Sequence, residues 1–206
     1  MSKITTIPFA GFYGSIWSEG IDRAEEIHLE HLEQEEGVEI KVSFDAIWKA
    51  SDYGAMYNYV ARKYVDYLND YIKDEFDLDL DLKFESMQSP REYNFETDRI
   101  FCYISDENLR KLRTFVPEDE LRLAIKTRFT SRSGFISRYP NNLDDWPALE
   151  DWDHSEIGTL FVALLGEGGD WEWDLYERMN DKNVFVRAFE ECVDWKKFDE
   201  LVKEAA

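Results

Sequence analysis

His28 and His31 stand three residues apart in Ile27-His-Leu-Glu-His31, with Glu30 between them and Glu25 close by. Two imidazoles and a carboxylate can hold a divalent cation. An i, i+3 pair is less usual than i, i+4 for a single metal ion, and no motif supplies a third ligand. His154 could, but nothing in the sequence brings it near. The competing reading is of two surface histidines on an acidic helix. Asp151-Trp-Asp-His-Ser155 offers an acid–histidine pair, although Asp153 or Ser155 serves equally well as the cap of the helix that follows. Cys102 and Cys192 lie in apolar contexts and read as small buried hydrophobes of a reducing compartment. There is no P-loop, GxSxG or GxGxxG fingerprint. Gly166-Glu-Gly-Gly169 sits among acids that repel phosphate. Thr130-Ser-Arg-Ser-Gly134 could hold an anion, or be a polar turn paired with the protein's own carboxylates. The sequence assigns no catalytic residue, no metal site and no cofactor.

Charge is a stronger signal than any of these motifs. The 206 residues carry 45 acids against 24 bases, a formal net charge of −21. Strong acidity accompanies disorder only where apolar residues are scarce. Here 44% of residues are hydrophobic and 16% aromatic, so the chain has the material for a core. Halophily fits poorly, because bulky aromatics are so frequent. So negative a protein is not expected to bind DNA, RNA or an anionic membrane directly.

The charge is also segregated. Glu19–Asp45 holds ten acids and two bases, Asp66–Glu85 eight and two, and Asp144–Asp181 twelve and one. Arg110–Arg138 reverses the sign, with eight bases against three acids. Two rows are regular. Asp22, Glu26, Glu30 and Glu33 recur at i+4, i+4 and i+3, and Asp66, Asp70 and Asp74 at i+4, followed by Asp77. Like charges at that spacing repel by a few tenths of a kcal/mol per pair, so folding does not ask for them. Such rows resemble a phosphate backbone; the plainer reading is a solvated helix face.

These rows need helices beneath them. Apolar spacing predicts a helix over Ile21–Gln34, a brief strand over 38–42, a short helix capped by Ser43, and a long helix from about Asp52 to Glu75. Along the long helix Tyr53, Tyr57, Val60, Tyr64, Tyr67 and Tyr71 form a stripe that is either core or a partner-binding face. Leu78, Leu80, Leu82 and Phe84 alternate with charged residues as a period-two strand, and Arg99–Ile104 reads as its antiparallel neighbour. Residues 3–9 form a first strand. Helices follow over 105–114 and 117–128, with Pro117 at the first helical position, then over 155–165, 171–179, 183–192 and 194–204. The expected fold is α+β: one helix-dominated domain over 1–206 with a small, mostly antiparallel sheet, in which 165–206 reads as a C-terminal helical extension.

Ser89-Pro-Arg-Glu-Tyr-Asn-Phe-Glu-Thr-Asp-Arg-Ile-Phe101, Phe129-Thr-Ser-Arg-Ser-Gly-Phe-Ile-Ser-Arg-Tyr139, and Asp153-His154 with Ile157-Gly158 resemble a family of small acidic proteins of phages and related mobile elements. The likeness runs in patches from about Phe12 to Leu165. It implies no activity or site residues, only a setting: the cytoplasm of an infected bacterium.

Together these readings lead to the expectation of a non-enzymatic anti-defence inhibitor, of anti-CRISPR or antirestriction type. As an acidic nucleic-acid mimic it would occupy the basic groove of a host nucleic-acid-binding protein or ribonucleoprotein through Asp22, Glu26, Glu30, Glu33, Asp66, Asp70, Asp74 and Asp77. Its oligomeric state is open, a dimer included. One rival is an accessory enzyme or metal protein using the polar segments at Arg91, Asn94, Asp98, Arg99 and Arg132. Another is a structural interaction module.

Overall fold

A computed structural model describes residues 1–9, 13–32, 42, 44–88, 99–129, 138–140, 143–166 and 170–205. In chain order the elements are β1 (Ser2–Pro8), α1 (Tyr13–Leu32), α2 (Phe44–Ala50), α3 (Tyr53–Phe76), β2 (Lys83–Gln88) and β3 (Arg99–Ser105). Helices α4 (Asp106–Phe115), α5 (Glu118–Phe129), α6 (His154–Leu165), α7 (Asp170–Asp181), α8 (Val184–Cys192) and α9 (Trp195–Ala205) complete it, with 3₁₀ turns at Leu143–Asp145 and Leu149–Asp151. The architecture is α+β and helix-dominated, with a three-stranded antiparallel sheet in the order β1-β3-β2. The chain divides into two compact units: Met1–Ala10 with Val65–Leu175, and Gly11–Tyr64 with Tyr176–Ala206. The C-terminal helices thus group with the N-terminal ones.

In the first unit, β3 lies between its two partners, with Ile7 paired to Ile100 and Thr5 to Cys102. All four are buried, and burial pushes the Cys102 thiol up to about 12, so it is inert at neutral pH. Helix α6 packs on β1. A Cβ at Gly158 would lie 2.5 Å from the Thr6 carbonyl oxygen, so only glycine admits this approach. Asp153 caps α6 by accepting from the Ser155 and Glu156 N–H groups at 2.8 Å, and Glu156 returns the bond to the Asp153 N–H. The capping reading of Asp153 is correct. Ser105 likewise caps α4, accepting from the Asn108 N–H at 3.1 Å.

One element differs from its expected type. Leu78, Leu80 and Leu82 are buried and Asp77, Asp79 and Asp81 exposed, as the alternation predicts, yet 77–82 is not a strand. Asp77 and Asp81 adopt left-handed φ values of 53° and 46°, which break the extended run. Its backbone bonds go to side chains instead. Asn69 of α3 donates to the Leu82 carbonyl and accepts from its N–H, both at 2.9 Å, and Asn108 donates to the Leu80 carbonyl at 2.8 Å. The strand begins at Lys83, with a bulge between Phe84 and Ser86.

In the second unit, α1 begins at Tyr13, eight residues before the expected start. Gly20 weakens the helical signal there, but the ring of Phe189 on α8 fills the space over it: a Cβ would meet the ring at 2.1 Å. Helix α2 packs on α9. Their junction is stitched by Asp194 N–H to the Ala50 carbonyl and Asp52 N–H to the Cys192 carbonyl, both 2.9 Å. Of the tyrosine stripe, Tyr57, Val60 and Tyr64 are buried and Tyr53, Tyr67 and Tyr71 half-buried, so its centre is core. The expected strand at 38–42 and cap at Ser43 involve residues outside the described set.

Candidate functional site

In the first unit, Asp66, Asp70 and Asp74 are exposed along the outer face of α3. Their floor is Val65, Leu68 and Ile72, each at most 1% exposed. At a rise of 1.5 Å per residue they stand about 6 Å apart, inside the Debye length of about 8 Å at physiological salt, so they act on a cation together. The chain then turns after Asp77, whose N–H bonds the Lys73 carbonyl at 3.0 Å. It runs back beside α3 to the Asn69 clamp, carrying Asp77, Asp79 and Asp81 on its exposed side.

The result is a ridge of two tiers. Lys73 lies 3.9 Å from Asp79, and Lys83 pairs with Asp81. The Lys83 ammonium is held above its usual value by that bond, and also by the charges of Asp66 and Asp79, which marks the two tiers as neighbours. Six carboxylates and two ammonium groups thus lie along about 12 Å of helix. Asp70 and Asp77 form no ion pair among the described residues.

The second unit presents the other row, on α1. Asp22, Glu26 and Glu30 are exposed on one face, and Glu33 lies outside the described residues. This row is thinner than its spacing suggests. Arg23 binds Glu26 at 2.9 Å and Glu190 of α8 at 2.9 Å, which neutralises its middle. Asp22 and Glu30 form no ion pair among the described residues.

The two histidines stand in different surroundings. His28 is buried, contrary to the reading of a surface histidine. Its ring meets Phe198 edge-on at 5.1 Å and its Nε2 stands 3.6 Å from the Asp199 carboxylate. Burial lowers its pKa, outweighing the pull of Asp199, and the nearby charges of His31 and Lys203 lower it further. His31 is exposed. Among the described residues no group of three or more His, Cys, Asp or Glu could hold a metal ion.

Of the polar candidates, Arg91, Asn94, Asp98 and Arg132 lie outside the described residues, and of Arg99 only the backbone is described, paired in β3 with Pro8 and Gln88. The end of the second segment has a structural role that sequence reasoning did not find. Arg138 grips Glu156 with two hydrogen bonds, Nε to Oε1 at 2.6 Å and Nη2 to Oε2 at 2.8 Å. Burial alone would raise the Glu156 carboxyl, but Arg138, Tyr139 and the Asp153 N–H hold it below the ordinary value. Tyr139 beside it is wedged edge-on against Trp146 and Trp152 at 5.1 and 6.2 Å. This cluster fastens the chain before α6 to its capping box. The spacing Arg138…Glu156 carries no motif that would have announced it.

Among the described residues, no helix is long and apolar enough to cross a membrane. No protein-family model, curated protein or solved structure matches this chain.

Proposed function

We propose that this protein is a non-enzymatic inhibitor that presents carboxylates in place of phosphates to the basic groove of a nucleic-acid-binding protein or ribonucleoprotein. The two-tiered ridge of Asp66, Asp70, Asp74, Asp77, Asp79 and Asp81 carries the reading, because it sets six exposed carboxylates side by side within about 12 Å of helix. A clamped backbone holds it, so little ordering is left to do on binding. The net charge of −21 supplies long-range attraction to Lys- and Arg-lined surfaces. The resemblance to acidic phage proteins supports a bacterial defence complex, of CRISPR or restriction type, as the target, met in the bacterial cytoplasm.

The test is capture from bacterial lysate on the immobilised protein, followed by elution with excess duplex DNA or RNA. Nucleic acid should release the captured proteins, and capture should fall steeply between about 50 and about 500 mM NaCl. The Asp66→Asn, Asp70→Asn, Asp74→Asn triple variant should capture much less. Captured proteins that nucleic acid cannot displace, or that the triple variant binds equally well, would overturn the mimic.

A further inference from the structure

The second unit carries a surface of another kind. Trp17 of α1, Phe44 and Trp48 of α2 and Tyr53 at the start of α3 pack ring on ring. Centroids lie 4.8 Å apart for Trp17–Trp48 and 5.1 Å for Trp17–Phe44 and for Trp48–Tyr53, and Trp17 lies parallel to Tyr53 within 14° at 6.3 Å. The cluster is rooted in the core. Trp17 meets Phe189 edge-on at 5.5 Å, Tyr53 meets Tyr57 at 4.2 Å, and both of those partners are buried. Its outer side is open: Phe44 is 46% exposed and Trp48 38%, with Trp17 and Tyr53 half-buried. Phe44 and Trp48 are one turn apart on α2, whose Ala46, Ile47 and Ala50 already serve the core. Gly14, one turn before Trp17, has nothing within 4 Å of where a Cβ would stand. Rigid aromatic side chains anchored below and open above have the anatomy of an interaction hot spot.

The charge of the chain decides what settles there. A second copy would bring another −21 to this face, and this unit itself holds nineteen acids against eleven bases. A cationic partner is drawn in instead. Aromatic faces attract cations, and arginine suits them better than lysine, because its planar guanidinium is weakly hydrated and stacks. Proteins that grip single-stranded nucleic acid meet bases with the same groups.

We propose that the Trp17–Phe44–Trp48–Tyr53 patch is a docking surface for arginine side chains of the basic partner, so that aromatic rings stand in for bases as the ridge stands in for phosphates. The identity of the partner rests on the mimic reading; the preference of the patch for arginine does not.

Acetylated nona-arginine and nona-lysine peptides test this without knowledge of the target. Calorimetry at about 50 and about 500 mM NaCl separates the screened charge component from the stacking component. At high salt nona-arginine should bind about tenfold more tightly than nona-lysine, and the indole N–H signals of Trp17 and Trp48 should shift with nona-arginine alone. Phe44→Gln with Trp48→Gln, which keeps α2 helical, should abolish that preference and change low-salt nona-lysine binding by less than about twofold. The Asp66→Asn, Asp70→Asn, Asp74→Asn variant should do the reverse, losing low-salt binding and keeping the arginine preference. Equal binding of the two peptides at high salt, or indole signals that do not move, would overturn the proposal in the unmodified protein. So would a concentration-dependent dimer abolished by the double variant, because a second copy would then own the patch. If the arginine preference holds while nucleic acid fails to displace lysate partners, the patch stands and the mimic falls.

Discussion

The two carboxylate rows of this protein obey the same sequence rule and yield different surfaces. On α1, Asp22, Glu26 and Glu30 form a single line whose middle is neutralised by Arg23. On α3, Asp66, Asp70 and Asp74 are backed by a second tier, because Asn69 draws 77–82 alongside and turns Asp77, Asp79 and Asp81 outward. Periodicity sets which face an acid occupies. Charge density depends on what the backbone brings next to that face, and here one uncharged side chain does so.

Asn69 is therefore where the comparison should break most visibly. Asn69→Leu keeps the volume and every charge but leaves the Leu82 N–H and carbonyl without their partner. Losing two partly buried hydrogen bonds should lower stability by about 2–3 kcal/mol in urea unfolding. It should also weaken low-salt nona-lysine binding, although no carboxylate has been removed. If affinity survives while stability falls, the second tier contributes nothing to the ridge. Direct neutralisation comes next. The Asp66, Asp70, Asp74 triple should lose about tenfold in low-salt nona-lysine affinity, at a few tenths to 1 kcal/mol per charge. Asp22→Asn with Glu30→Gln should lose about threefold or less. Equal losses would mean that net charge alone matters and that the two rows do not differ.

The comparison also shows how far a sequence can be read. The long helix, its acid row and its tyrosine stripe were legible, because a helical period sustained over so many residues fits neither a strand nor a loop. The alternation at Leu78–Leu82 foretold which side chains are buried but not the hydrogen bonding. A buried extended segment satisfied by Asn69 and Asn108 has the same pattern as a strand in a ladder. The start of α1 was hidden by Gly20, a poor helix residue whose value is the room it leaves for Phe189. The aromatic patch was hidden because its members come from three separate helices, and only Phe44 and Trp48 share a helical period. The Arg138–Glu156 clip was missed for the same reason.

A smaller effect tests the α1 row from the opposite direction. Arg23→Gln removes the cation that Glu26 and Glu190 share, so the α1 row gains an unpaired carboxylate and becomes more like the ridge. Low-salt nona-lysine binding should rise about twofold. Stability should fall by less than about 1 kcal/mol, since these are largely exposed ion pairs. A fall in affinity would show that Arg23 organises the row and does not merely neutralise it.

The smallest effect concerns the floors beneath the rows. Under α3 lie Val65, Leu68 and Ile72, which do not titrate; within the buried face of α1 lies His28. Its pKa is lower in the folded protein than the ordinary histidine value, chiefly by burial, so the unfolded chain binds the proton more readily. By linkage, the neutral ring's contribution is complete above the ordinary value of about 6.5 and declines as pH falls below it. Asp199 limits that decline by favouring the charged ring, while His31 and Lys203 add to it. Amide exchange at pH 7.5 and 5.5, corrected for intrinsic rates, should show α1 losing protection while residues 65–76 of α3 keep theirs. His28→Gln should abolish the difference. Carboxylates elsewhere could loosen both helices in acid, and only a loss that begins in α1 and vanishes with His28 separates the two floors.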